Sequence, residues 1–248
     1  MSEVPKPSKP LPPVTVEPVQ GGFRLRAGVR PWRTPAGADL LVPTHTLADA
    51  IAAELMLVRN GGRLGRPRID TMGLTRLAAT AIDRIGPGSA ATRDALLAFA
   101  ETDLVCYRVG GVPALRGRQD SSWQPLLDWL AETYGARLAV VEGVMPQSQP
   151  REALDALGSV LARLDPFTLA GLGLAVQTAG SLVIGLALAA GRINAAEAAA
   201  LADLDESFQN EQWGEDAEAL DRRRLRAEDL MLAERFLKLL KDQRETSS

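Results

Sequence analysis

From Phe167 to Gly191 the chain runs for 25 residues without one charged side chain. A stretch of that length either crosses a bilayer or fills the centre of a protein. Thr168, Gln177, Thr178 and Ser181 interrupt it, and five glycines and many alanines hold its hydrophobicity down. It also lacks a flanking aromatic belt. These features favour two buried antiparallel helices, broken near Ala179-Gly180, at the centre of a helical domain. Glycine and alanine would let their backbones approach closely. No membrane span is expected.

Around this hairpin, apolar periodicity predicts helix almost throughout beyond residue 70. Leu74, Leu77, Ala78, Ala81 and Ile82 share one face over 75–84, and Ala95, Leu96, Phe99 and Leu104 share another over 92–105. A helix over 123–133 would carry Trp123, Leu126, Leu127 and Leu130, with Pro125 in its first turn. Further helices are expected over 150–164, 166–178, 180–190, 194–212 and 215–241. In the last, Leu220, Leu225, Leu230, Phe236, Leu237 and Leu240 give an apolar seam. Arg222, Arg223, Arg224 and Arg226 sit among Glu218, Asp221, Glu228 and Asp229. Mixed signs point to a solvated, salt-bridged face, and a net charge of -3 offers no general attraction to nucleic acid. Aromatics are only 4% against 46% hydrophobic residues, so the core must be built from Leu, Ala, Val and Ile.

The N-terminal quarter reads differently. Phe23, Leu25 and Ala27 alternate with Arg24 and Arg26, the period of a half-buried strand. Thr34-Pro35-Ala36-Gly37 is turn chemistry, and Leu40-Leu41-Val42 a short strand. So few strands need a covering helix. Thr46 and Asp49 have the form of a capping box for it, and Leu47, Ile51, Leu55 and Val58 mark its apolar face. His45 is read as a loop residue just ahead of that helix. The expected fold is therefore α+β. A disordered arm over residues 1–13, with five prolines, precedes a small β-rich N-terminal domain with its covering helix over 14–68. A larger all-helical domain occupies 69–248. The basic, glycine-rich loop Arg59 to Arg68 marks the boundary, and a solvated loop is its favoured reading over a phosphate site.

Catalytic chemistry is hard to assemble from these residues. Cys106 is the only cysteine and His45 the only histidine, which excludes a disulfide framework and a zinc cluster. Neither a nucleophile elbow nor a phosphate loop is present, and no cofactor site is expected. Cys106 reads as a small buried hydrophobe. Two alternatives stay open: an enzyme using carboxylates of the helical domain, and a membrane-attached structural protein. The segment Leu204 to Gly214 stands out instead. Glu206, Gln209 and Trp213 fall at i, i+3 and i+7 and share a helix face. With Asp205 beside them, they form a polar-aromatic surface suited to a partner. The plainer reading is a capping helix with a half-buried tryptophan.

Six strings, taken in order, resemble one family, the Atp-twelve type of assembly chaperone that acts on the α subunit of the ATP synthase F(1) sector. They are Arg33 to Gly37 ahead of Leu41-Val42-Pro43, then Leu74 to Ala78 with Thr80 to Asp83, and Glu101 to Arg108. Next come Arg118-Gln119 with Trp123 to Trp129, Gly180-Ser181-Leu182, and Leu204 to Gly214. The family often has a tryptophan where this chain has Leu55, and proline and asparagine at Gly73 and Ala79.

The resemblance implies a small β-rich domain beside a helical one. It also implies a non-enzymatic function: a holdase for the isolated α subunit, monomeric when free, that keeps α soluble until β arrives. The partner is then the F(1) α subunit, contacted through Glu206, Asp205, Gln209 and Trp213. Residues 1–13 have neither the form of a secretion signal nor that of an Arg-rich transit peptide, so a bacterial cytoplasm is expected, or the mitochondrial matrix for a mature organellar protein.

Overall fold

A computed structural model describes residues 13–61, 72–143, 145, 147–214 and 217–241. Four strands come first: β1 (Val14–Val19), β2 (Gly22–Ala27), β3 (Arg30–Pro31) and β4 (Leu41–Val42). β2 is central, antiparallel to β1 with Val16 opposite Leu25, and pairs with β3 near one end and β4 near the other. Gly22 has φ of +145°, and a Cβ there would meet the Val42 carbonyl oxygen at 2.3 Å, so only glycine lets β4 come this close.

Helix α1 (His45–Gly61) covers the sheet, burying Leu47, Ile51 and Leu55 against Leu25, Leu40 and Val42. Position 55 therefore points into the core, and a tryptophan there would be a packing residue. The helix begins two residues earlier than the sequence suggested. Thr44 Oγ1 accepts from the Leu47 amide at 3.3 Å, while Thr46 lies inside the helix and donates to the Leu239 carbonyl at 2.9 Å. His45 is the first helical residue, edge-on to Phe23 and 2.8 Å from Asp49. The proposed boundary loop lies mostly outside the described residues.

Helical structure then dominates. α2 (Gly73–Thr80) runs into a single π turn, Ala81–Ile85, followed by α3 (Ser89–Glu101). Glu54 of α1 caps α2 from outside, accepting from the Leu74 amide at 3.0 Å and the Thr75 amide at 2.8 Å. A short 3₁₀ turn, Leu104–Cys106, leads to β5 (Tyr107–Arg108), which pairs in parallel with β6 (Val141–Glu142). Between them α4 spans Pro113–Tyr134, starting ten residues before the predicted helix, with Pro113 in its first turn and Pro125 in its interior.

α5 (Arg151–Ala162) precedes the uncharged stretch, which folds as the expected hairpin. α6 (Pro166–Ala179) ends at left-handed Gly180, and Ser181 caps α7 (Leu182–Ala190) by accepting from Ile184 N. Leu172, Val176, Leu182 and Ile184 are fully buried. Among the described residues no helix is long and apolar enough to cross a membrane.

The predicted helix over 194–212 is two, α8 (Ala195–Ala202) and α9 (Leu204–Trp213), broken at Asp203. The last helix, α10 (Ala217–Lys241), packs along α6. Its second half buries Leu230, Phe236, Leu237 and Leu240, and Phe236 and Leu240 reach the cluster beneath the sheet. Leu220 and Leu225 of the predicted seam are exposed instead. Apart from Ala219, the buried residues of α10 begin at Leu230.

Candidate functional site

The site is built around α9. Asn194 and Glu197 form a reciprocal capping box that starts α8, with bonds of 3.0 and 2.8 Å. α8 stops at Asp203, whose carboxylate is almost fully buried. A buried charge needs partners, and the guanidinium groups of Arg226 and Arg223 supply them. The Ser207 amide donates to the Asp203 carbonyl at 2.8 Å, which restarts the helix as α9.

α9 is then fastened on two sides. On the α4 side, Gln119 is buried and uses both ends of its amide. Its Oε1 accepts from the Val109 amide at 2.8 Å and its Nε2 donates to Asp205 at 2.8 Å. Arg118 makes a two-pronged pair with Glu211 at 2.6 and 2.7 Å, and its guanidinium lies 5.1 Å from the Phe208 ring. That pairing holds the Glu211 carboxyl below the ordinary carboxylate value. Phe208 is the one buried side chain of α9. On the α10 side, Glu206 sits 3.6 Å from both Arg222 and Arg226, and Arg223 donates to Ser207 at 3.1 Å.

The four residues singled out from the sequence thus occupy different settings. Asp205 faces inward and serves α4. Glu206 is half-buried and shared between two arginines of α10. Gln209 is exposed. Trp213 is 78% exposed, so the half-buried anchor of the plainer reading is not what α9 contains. Leu220 and Leu225, also exposed, follow on the first part of α10. The site is a fixed helix with an open aromatic end beside a dense charge cluster. Such a surface can orient and cover a partner.

Sequence periodicity missed the groups that fix α9. Arg118 and Gln119 were visible only as part of a family string, and Arg222 and Arg226 only as a charged face. Asp203 gave no local sign, because one acid among alanines and leucines does not reveal a helix break.

Among the described residues no group of His, Cys, Asp and Glu could hold a metal ion. Burial pushes the Cys106 thiol up to about 12, so it stays protonated. Arg108 is wholly buried, donates to Asp120 at 2.8 Å and to the Val105 and Tyr107 carbonyls, and lies 5.3 Å from the Trp123 ring. These are structural links at the end of α3, as the Asp103 to Arg108 string suggested.

A family described as ATP12 chaperone protein matches residues 12–131. Among curated proteins the chain is similar to "Protein atp12, mitochondrial" of Schizosaccharomyces pombe, at 27% identity over 108 residues. That alignment takes in 42% of this chain and 37% of the relative, so the match spans little more than a third of that protein's length. Similarity to solved structures is far more extensive. Atp12 from Paracoccus denitrificans superposes with a TM-score of 0.86 at 37% identity, covering 93% of this chain and 97% of that one. A point mutant of P. denitrificans Atp12p gives 0.87 at 36%, covering 94% and 97%. The Atu1473 protein from Agrobacterium tumefaciens gives 0.86 at 41%, covering 93% and 85%. Identity at this level over nearly the whole length makes the chain a member of the ATP12 chaperone family.

Proposed function

We propose that this protein is an assembly chaperone that binds the isolated α subunit of the F(1)-ATPase, prevents its aggregation until it pairs with β, and turns over no substrate. The observation that carries this reading is Trp213: a large aromatic left 78% exposed on a helix whose other sides are fastened by Arg118, Gln119, Arg222 and Arg226. A rigid helix presenting an open tryptophan loses little conformational freedom on binding, and such aromatics carry much of the energy of protein interfaces.

The physical logic suits the task. An α subunit without β exposes a large, partly apolar surface that aggregates. A smaller polar-aromatic contact can cover part of it and still be displaced by the larger permanent interface. No nucleotide is required, because β supplies the driving force. Trp213 and Gln209 are the proposed direct contacts, Glu206 gives the surface its charge pattern, and Asp205 acts from behind by holding α9 to α4. The protein is taken as monomeric when free. It would work where F(1) is assembled, in a bacterial cytoplasm or a mitochondrial matrix.

Size-exclusion chromatography of the purified protein mixed with isolated α or isolated β tests the reading. Co-elution with α is expected. Preference for β, or association with neither, contradicts it.

A further inference from the structure

A second surface lies far from α9 in sequence. The turn after β3, α2 and the π turn line a cleft of 560 Å³. Trp32, Leu40, Met72 and Ala79 give it an apolar floor. Its volume falls within the range of about 300–1,000 Å³ usual for ligand clefts. Arg76 and Arg84 line it as well. Both are exposed, and neither is paired with an acid among the described residues.

One wall is held in place by a specific latch. Asp83, in the π turn, accepts from Thr34 Oγ1 at 2.6 Å and from the Ala36 amide at 3.0 Å. Thr34 Oγ1 in turn accepts from the Ala38 amide at 3.1 Å. The one acid lining the cleft therefore has both carboxylate oxygens engaged by the turn. Arg33, also on the lining, is paired with Asp39, so the guanidinium groups without an acid partner are those of Arg76 and Arg84, above the apolar floor. π turns occur often at functional sites, and this one places Asp83 on the latch and Arg84 on the cleft.

We infer that this cleft is a docking site for an extended peptide segment of a client protein in which carboxylate side chains alternate with apolar ones. The apolar side chains enter the floor between Trp32 and Ala79. The carboxylates pair with Arg76 and Arg84, which offer two-pronged donors to a carboxylate. A cleft with unpaired cations selects acidic segments over basic ones, because a like charge there would be left unpaired. The site does not depend on α9 or on the client being the α subunit.

Fluorescence anisotropy on the full chain tests this with a fluorescein-labelled heptapeptide of alternating leucine and glutamate, its leucine–lysine counterpart, and a glycine–glutamate control. The leucine–glutamate peptide should bind at least tenfold tighter than either other peptide. Arg76→Glu with Arg84→Glu should abolish that binding and let the lysine peptide bind, with the melting midpoint unchanged. If that pair lowers the midpoint, Arg76→Ala with Arg84→Ala replaces it and should weaken the leucine–glutamate peptide at least tenfold. Equal binding of glutamate and lysine peptides overturns the inference, as does undiminished binding to the folded variants. Equal binding of the glycine–glutamate peptide reduces the cleft to an anion site. Displacement by a peptide of residues 242–248 at equal concentration assigns the cleft to this chain's own tail. Either result also overturns the proposal.

Discussion

Ser181 Oγ donates to Asp103 Oδ1 at 2.5 Å, joining groups 78 residues apart in the chain. The other carboxylate oxygen accepts from the Val183 amide at 3.1 Å, and Oδ1 also accepts from the Val105 amide at 3.2 Å. One fully buried acid thus caps both the 3₁₀ turn after α3 and the start of α7, while Ser181 accepts from Ile184 at 3.0 Å.

Asn at position 103 would keep the size but place an amide N–H₂ against backbone donors. Asp103→Asn should therefore lose about 2–4 kcal/mol of stability, measured by urea unfolding. The wild-type carboxyl also titrates. Burial raises it from the ordinary 3.8 to about 6, against the opposing hydrogen bonds from Ser181 and the Val183 and Val105 amides. A raised folded-state value means that its contribution is fully present below pH 3.8 and is lost as pH rises through about 6. The stability gap between wild type and Asp103→Asn should accordingly be larger at pH 5 than at pH 7, by about 1 kcal/mol. A gap that widens on going to pH 7 contradicts this assignment.

The α6–α7 hairpin has its own test. A Cβ at Gly185 would lie 2.5 Å from Val176 Cγ2 and 3.3 Å from Leu172 Cδ1. Gly185→Ala gains helix propensity but overpacks the centre of the molecule. It should lower stability by about 1–3 kcal/mol in thermal or urea unfolding. A rise in the melting midpoint would show that the two helices have room to separate.

The hairpin and the N-terminal sheet were legible in the sequence because each is a local pattern. An uncharged run with a break near Ala179-Gly180 pointed to the first, and alternation around Leu25 to the second. Several misses turn on partners distant in sequence. Pro125 sits inside α4, because that helix starts earlier at Pro113. Thr44 rather than Thr46 caps α1, and both hydroxyls donate to the Leu239 carbonyl at the end of α10. Asp203 breaks a helix that propensity alone would continue, because Arg223 and Arg226 hold its carboxylate. For the candidate site, the sequence singled out the string 204–214 but did not show which of its residues face inward. Its family strings pair off in space, Thr34 with Asp83, Asp103 with Ser181, and Gln119 with Asp205. Each of those strings is weak alone because its partner lies elsewhere in the chain.

Gln119 is the residue that fixes α9 from behind. Gln119→Leu removes the acceptor for the Val109 amide and the donor to Asp205 together. It should destabilise by about 1–3 kcal/mol and raise amide hydrogen exchange across α9. Unchanged exchange in α9 would mean that Arg118 and the α10 arginines hold it without this link.

The α10 side can be probed by charge. Glu206→Lys would set a third cation beside Arg222 and Arg226 and should lower the melting midpoint, an effect of about 1 kcal/mol that salt reduces. Combining it with Arg222→Glu should restore the midpoint. Because this change disturbs the fold, Glu206→Gln is the cleaner variant for a binding assay. A Glu206→Lys midpoint equal to wild type at low salt would mean that the Glu206 pairs with Arg222 and Arg226 contribute nothing to the fold.

Light scattering of isolated F(1) α subunit, with this protein added at stoichiometric ratio, tests the central claim most directly. Trp213→Ala is the matched control, because the exposed indole leaves folding stability within about 0.5 kcal/mol when removed. Wild type should suppress aggregation of α, and Trp213→Ala, with an unchanged melting midpoint, should lose most of that protection. Aggregation of α that proceeds equally with and without the wild-type protein would contradict the account.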